Sequence, residues 1–323
     1  MQARDDERHG QVAANVGEGP ALIAPAPSAR SRSGRLHPWL VALRPRQWSK
    51  NALVFVGLVF SLNLDRPEQV ARAVLAFVVL CLLASSAYLI NDALDAPRDR
   101  LHPQKARRPI AAGLISPAAA VRAAVGLLLV GLVLAALLSP AFLAVALGYL
   151  ALTAAYSLWL KRYPLIDVFA IAAGFVLRAA AGAVVLSVTI SPWLLLCTLL
   201  GALLIALAKR RHELATLGPD AGEHRPSLAG FTVAFLDELI LIMAAASIMT
   251  YSLYTFSERP GQPALLMLTV PLVIYGVFRY LYLVRVAGLG GSPEDLLLGD
   301  PPLRGAVVLW GLLSVAILYF APR

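Results

Sequence analysis

Cysteine is almost missing from this chain of 323 residues, which has two, Cys81 and Cys197. Each sits inside a long apolar run, so no disulfide framework and no zinc-ligand spacing exists, and both act as small apolar residues. Charge is scarce as well, at 15% of residues, with 19 carboxylates against 28 Lys and Arg and a net charge of +9. No phosphate-binding GxxxxGK[ST] loop, no GxGxxG after a strand and no Ser/His/Asp set occurs, which excludes the common soluble nucleotide and acyl-transfer chemistries. In their place are apolar residues, 59% of the chain, with a mean hydropathy of +0.72. That is the composition of an all-α integral membrane protein.

Residues 1–38 differ from the rest. They are rich in Ala, Pro, Ser, Gly and mixed charge without apolar periodicity, which predicts a disordered tail. They have no continuous apolar core of the kind a cleavable signal peptide needs. From residue 39 onward, apolar runs recur at about 49–64, 70–91, 117–138, 140–160, 165–186, 191–210, 231–256, 263–284 and 304–321. Each is long enough for a crossing, so nine transmembrane helices are expected in one domain, 39–323. The first run is short, and its helix can begin nearer Leu36. Lys and Arg crowd the loops after the second, fourth, sixth and eighth runs and the residues before the first, while the intervening loops are nearly free of them. Lys and Arg accumulate on the cytoplasmic side, which predicts a multi-pass inner or plasma membrane protein with N-terminus and polar cavity in the cytoplasm. Topology thereby explains most of the positive charge, and nucleic acid is not needed to account for it.

The charged island at 91–113, NDALDAPRDRLHPQKARRPIAAG, organises the rest. Asp92, Asp95 and Asp99 follow i, i+3, i+7 and share one face if the preceding helix runs through them. They then spread their oxygens over roughly 10 Å. Such a row suits a hard cation that completes its shell with substrate phosphates. Pro97, Pro103 and Pro109 are expected to stop the regular helix, and Lys105, Arg107 and Arg108 follow. Basic residues beside a span are often only anchors, but a carboxylate at a span's end is costly unless solvated, paired or metal-bound.

Other polar clusters lie on the same predicted side. RPRQWSKN at 44–51 is either an interfacial belt of Trp48 and its arginines, or a site in which Arg46, Lys50 and Asn51 contact a phosphorylated ligand. Tyr156, Lys161 and Arg162 stand between the fourth and fifth runs, where they can reach an anionic head group, and Asp167 is expected to pair with Lys161 or Arg162. Arg178 lies in mid-span, where an ionisable group marks function or a buried pair with a carboxylate. Gly174 and Gly182 near it permit close helix approach. Lys209, Arg210, Arg211, His212 and Glu213 end the sixth run, where some must point into the polar cavity and Lys209, Arg210 and Arg211 are expected to bind an anionic substrate, and Tyr251 and Tyr254 are expected in an aromatic belt. PEDLLLGDPPLRG at 293–305 has no readable role.

The island resembles the first aspartate-rich signature of the UbiA superfamily of intramembrane prenyltransferases, NDxxDxxxD followed by a basic RPI-type segment. The resemblance covers 39–323 and implies a UbiA-type helical bundle. It also implies that Asn91, Asp92, Asp95 and Asp99 hold Mg²⁺ and a diphosphate. The superfamily's aromatic prenyltransferases carry a second acidic motif where this chain has Lys209-Arg210-Arg211-His212-Glu213. With RPRQWSKN, GFVLRAAAG and AKRRHEL, the chain is similar to the decaprenyl-phosphate phosphoribosyltransferase branch. That likeness implies a Mg²⁺-dependent transfer of 5-phosphoribosyl from phosphoribosyl diphosphate to a polyprenyl phosphate, feeding arabinan synthesis in the cell envelope. An aromatic prenyltransferase using a polyprenyl diphosphate is the alternative within the superfamily, and an ion-coupled transporter the alternative outside it. A homo-oligomer is compatible with the sequence.

Overall fold

Proline opens most of the helices of this protein, at the first turn where its missing N–H costs nothing. The computed structural model describes residues 36–101, 105–189, 191–218, 221–257 and 263–320. Its helices are α1 Leu36–Leu43, α2 Val54–Phe60, α3 Pro67–Asp99, α4 Pro117–Leu138, α5 Pro140–Leu158, α6 Ile166–Val185 and α7 Pro192–Leu217. They continue with α8 Ala221–His224, α9 Val233–Ser257, α10 Pro263–Leu266, α11 Val270–Arg285, α12 Pro293–Gly299 and α13 Pro301–Phe320. No strand occurs among the described residues. Ser-Pro pairs set three of the starts. The hydroxyls of Ser116, Ser139 and Ser191 accept from the backbone N–H of Ala119, Phe142 and Leu194, satisfying donors that a helix leaves open at its N-terminus.

Eight helical segments are long and apolar enough to cross a membrane: α3, α4, α5, α6, α7, α9, Met267–Arg285 and α13. The first expected span is not among them. Residues 36–60 form α1, a left-handed Arg44 at φ 54°, a 3₁₀ helix Pro45–Leu53, and α2. Nine residues of 3₁₀ geometry are long for that helix type, whose hydrogen bonds are poorer. Local contacts to α3 hold the break. Trp48 Nε1 donates to Ser85 Oγ at 3.0 Å, and Ser85 Oγ donates to the Leu43 carbonyl at 2.9 Å.

Other expectations change at the boundaries. The predicted tail falls largely on residues 1–35, outside the described residues, and Leu36, His37 and Pro38 already belong to α1. Helix α3 passes through Pro97 to Asp99, so that proline does not end it. Tyr251 and Tyr254 are buried instead of forming a belt. The Tyr251 hydroxyl accepts from Trp310 Nε1 at 2.7 Å and pairs with Thr269 Oγ1 at 2.6 Å, because buried phenols need polar partners.

Helix α6 joins the two largest apolar cores. Val168 and Ala172 near its start pack with α7, α9 and α11, and Ala181 and Val185 near its end pack with α2, α3 and α5. Large residues such as Leu129, Val133 and Leu137 on α4 point outward, as a lipid-facing surface requires. The closest crossing is that of α6 with α2, where a Cβ on Gly182 would lie 2.1 Å from the Val54 carbonyl oxygen. Only a glycine admits this approach.

Gly182→Ala is expected to force α2 off α6 and cost about 1–3 kcal/mol, read as a lower unfolding temperature in detergent. Gly276→Ala, where a Cβ meets nothing within 4 Å, leaves that temperature unchanged or slightly raised.

Candidate functional site

Because successive helices alternate direction, the ends of α3, α5, α7 and α11 and the starts of α4, α6, α9 and α13 lie at one end of the bundle. Most of the charged side chains among the described residues gather there, Asp65, Arg66, Glu68 and Arg72 at the other end of α3 being exceptions. The i, i+7 spacing along α3 brings Asp92 and Asp99 to a common point, with side chains only 5% and 6% exposed. Arg108, from the loop after α3, bridges them through one nitrogen, Nη1, at 3.1 Å from Asp92 Oδ1 and 2.6 Å from Asp99 Oδ2. Arg44 grips both oxygens of Asp92 through Nη2 at 2.7 and 3.0 Å, and its guanidinium stacks over the Tyr88 ring. Buried carboxylates demand such partners, since an uncompensated one costs several kcal/mol. Arg44 is held by the left-handed break, and its role emerges only when that break is seen against α3.

Asp95, between them, is half-buried and has no hydrogen-bond or ion-pair partner among the described residues. Asn91 Nδ2 donates to Ser157 Oγ at 3.2 Å, tying α3 to the end of α5. Among the described residues no three His, Cys, Asp or Glu side chains converge as a metal cage. Mg²⁺, however, is commonly held by one or two carboxylates plus substrate phosphates. Asp92 and Asp99 already converge on one cationic nitrogen, so the donor set fits a divalent cation.

A second buried cluster is centred on Asp167, which is fully buried. Arg225 Nη2 donates to its Oδ1 at 2.6 Å, Tyr156 hydroxyl donates to the same oxygen at 3.0 Å, and Ser227 Oγ donates to Oδ2 at 3.3 Å. Arg210 Nε stands 2.7 Å from Oδ2, but its N–H is not aimed at that oxygen, so the contact is ionic. Arg210 also hydrogen-bonds Glu213, one turn on. The expected pairing of Asp167 with Lys161 or Arg162 is therefore replaced by partners from α7 and the 225–230 turn. Burial disfavours a charged Arg225, yet Tyr156 and Asp167 outweigh it and raise its pKa. Arg211 is matched too, with Nε 2.9 Å from Asp237 Oδ1, an oxygen that Arg285 also approaches at 3.2 Å.

Arg178 is buried with no carboxylate partner among the described residues. It donates to the Asn51 side-chain carbonyl at 2.8 Å, the Gly174 carbonyl at 2.8 Å and the Tyr149 hydroxyl at 3.0 Å, and stacks on Tyr149 and Phe175. Eleven residues of α6 separate it from Asp167, about 16 Å of rise. It therefore lies deeper than the acidic island and pins the 3₁₀ segment, through Asn51, to α6 and α5. Lys50 accompanies Asn51 but turns to the charged end, where it meets Gln47 at 2.6 Å and Glu294 at 2.7 Å. Lys209 is half-buried within the fields of Glu213, Glu294 and Lys50. Arg46, Lys105 and Arg107 are exposed and Lys161 half-buried. Arg225 and Glu294 are the members of this end that sequence reasoning missed, since nothing local distinguishes them from ordinary surface charges.

A model of the UbiA prenyltransferase family matches residues 52–289. A decaprenyl-phosphate phosphoribosyltransferase of Mycolicibacterium smegmatis is 33% identical over 292 residues, 86% of this chain and 92% of that protein. One of the same name from Corynebacterium glutamicum is 34% identical over 290 residues, 87% of this chain and 86% of that protein. A solved structure of a UbiA homolog from Archaeoglobus fulgidus bound to GPP and Mg²⁺ superposes with a TM-score of 0.69. At 21% identity it covers 87% of this chain and 99% of its own, so the likeness is one of fold.

Asp167→Asn leaves Arg210 buried without full compensation and is expected to cost about 3–5 kcal/mol. Asp95→Asn removes no partnered charge and costs less than about 0.5 kcal/mol. Thermal unfolding of the two variants in detergent checks the contrast.

Proposed function

The chain belongs to the UbiA prenyltransferase family, and from that premise we propose that it transfers 5-phosphoribosyl from phosphoribosyl diphosphate to a polyprenyl phosphate such as decaprenyl phosphate. Diphosphate is released, and the product feeds arabinan synthesis in the cell envelope. Two relatives of matching length and about one-third identity carry that activity in their names. The observation that carries the reading is the pair of buried carboxylates, Asp92 and Asp99, converging on one cationic nitrogen among further cations. A metal-diphosphate needs that combination of acidic and basic groups.

In this reading Asp92, Asp95 and Asp99 hold Mg²⁺, with Asn91 beside them. When bound, the metal supplies Lewis-acid stabilisation of the departing diphosphate. Arg108 and Arg44 leave their carboxylates for phosphate oxygens, where their forked donors fit. Lys50, Lys105, Arg107 and Lys209, with Arg46 at the rim, match the charge of the donor's 5-phosphate and of the lipid phosphate. Arg210 and Arg211 act one step back, shaping the wall through Asp167 and Asp237. Tyr156 and Lys161 flank that wall, and Arg178 with Asn51 keeps the broken first segment in place.

The C1–O bond to diphosphate breaks, ribose C1 gains oxocarbenium character, and an oxygen of the lipid phosphate forms the new bond to C1. That nucleophile is already ionised, so no general base is required. The membrane protein is oriented with this end in the cytoplasm at the plasma membrane, and residues 36–60 make a ninth crossing before the catalytic bundle.

The test is a donor assay on membranes containing the protein. One tube receives labelled phosphoribosyl diphosphate and decaprenyl phosphate, a second a labelled prenyl diphosphate and an aromatic acid, each with and without EDTA. EDTA-sensitive transfer of ribose phosphate into the lipid phase is expected, and label transfer only in the second tube would replace this reading with aromatic prenylation. Asp95→Asn is expected to abolish turnover in a folded protein. Lys209→Ala is expected to raise KM for the phosphoribosyl donor about tenfold, the scale of one charge-assisted hydrogen bond; an unchanged KM would reduce Lys209 to an anchor.

A further inference from the structure

The segment between α11 and α13 enters the charged end without being required by the chemistry above. It is glycine-rich, with Gly288 at φ +70°, Gly290 and Gly291. It leans on α7 so closely that a Cβ on Gly290 would lie 2.9 Å from the His212 Cβ and 3.0 Å from the Ala208 carbonyl. The Gly290 N–H donates to His212 Nδ1 at 3.3 Å. Its far end is fixed by Arg279, whose Nε and Nη2 meet Asp300 at 3.1 and 2.8 Å. Between these two anchors stand the seven residues, about two turns, of α12.

Few groups hold α12 down. Leu296, its one buried residue, packs in the core with α7, α9 and α11, and the Leu298 carbonyl accepts from Arg304 Nη1 at 2.7 Å, while the Leu297 and Leu298 side chains are exposed. Its strong contact is ionic, Glu294 Oε1 to Lys50 Nζ at 2.7 Å, with side chains 21% and 29% exposed. Burial disfavours the Glu294 carboxylate, yet the hydrogen bond and charge of Lys50 outweigh it, Lys209 adds to them, and its pKa is held below the usual range. The Tyr280 hydroxyl, buried without a hydrogen-bond partner among the described residues, lies in the field of the same carboxylate. Sparse apolar contact and exposed backbone on one short helix between two fixed ends describe a locally unstable element.

We infer that residues 292–299 form an acidic lid, in which Glu294 occupies the Lys50 cation in place of a phosphate and is displaced when a phosphorylated substrate binds. This deepens the proposed function and rests on it for the assignment of that lysine to phosphate. A carboxylate and a phosphate oxygen compete for the same donors, so the substrate must displace Glu294 to engage Lys50. The lid therefore lowers affinity for weak anions and opens for a polyanion that Lys50, Lys209 and the metal can hold together. Glu294 is a specificity-determining residue that touches the binding cation Lys50 without taking part in bond formation.

The experiment uses the full chain in detergent with Mg²⁺ and inorganic diphosphate as the probe. Calorimetry measures binding, and amide hydrogen exchange follows residues 292–299. In the wild type, diphosphate is expected to raise exchange in that segment. Glu294→Gln is expected to bind diphosphate about five- to tenfold more tightly and to show raised exchange already without it. Diphosphate binding with equal affinity in both forms and unchanged exchange would overturn the lid while leaving the proposed function standing. Absence of binding to either form would overturn the phosphate assignment and the lid together, and the labelled donor assay reads the transfer reaction independently of both.

Discussion

No carboxylate can remain buried and ionised in this bundle without a cation of matching geometry, and the charged end is arranged by that requirement. Asp92 is neutralised by Arg44 and Arg108, Asp99 by Arg108, and Asp167 by Arg225 and Arg210. Each arginine comes from a different element than its carboxylate, so pairing the charges also fixes elements to one another. Arg44 fastens the first segment to α3. Arg108 folds the following loop back across its own helix end, and Arg210 with Arg225 closes α7 and the 225–230 turn onto α6.

The same pairing accounts for the irregular parts. A first helix that ran straight would carry Arg44 away from Asp92; instead the chain accepts a left-handed residue and nine residues of 3₁₀ geometry. Conformations of this kind cost of order 1–3 kcal/mol and persist where surrounding contacts over-determine them. Here those contacts are Trp48 on Ser85, Asn51 on Arg178 and the Gly182 approach to Val54. Strain in the first segment thus positions Arg44, Arg46 and Lys50 at the mouth of the acidic island. Regular helices elsewhere need no such reinforcement, because backbone hydrogen bonds inside each helix suffice in lipid.

Charge matching also separates the cations by availability. Arg210, Arg211 and Arg225 are committed to carboxylates within the wall. Arg44 and Arg108 hold Asp92 and Asp99, which a metal can take over, so their guanidiniums are exchangeable. Lys50 faces a lid residue instead of a buried partner. A site graded in this way can accept a polyanion and a divalent cation together without ever leaving a buried carboxylate unpaired.

The sequence by itself determined the helical class, the positions of eight crossing helices and the acidic island, because apolar run length, Ser-Pro starts and the i, i+3, i+7 spacing are local properties. The NDxxDxxxD pattern and the basic segment after it were equally legible, and so was the resemblance to the family. What only the tertiary structure decided was which charge meets which. Arg44 and Asp92 are 48 positions apart, Arg225 and Asp167 are 58, and no periodicity links such partners. The break in the first segment, the continuation of α3 through Pro97 and the burial of Tyr251 and Tyr254 were likewise decided by packing. In each case a long-range contact outweighs a short-range preference, and such contacts exist only once the helices are side by side.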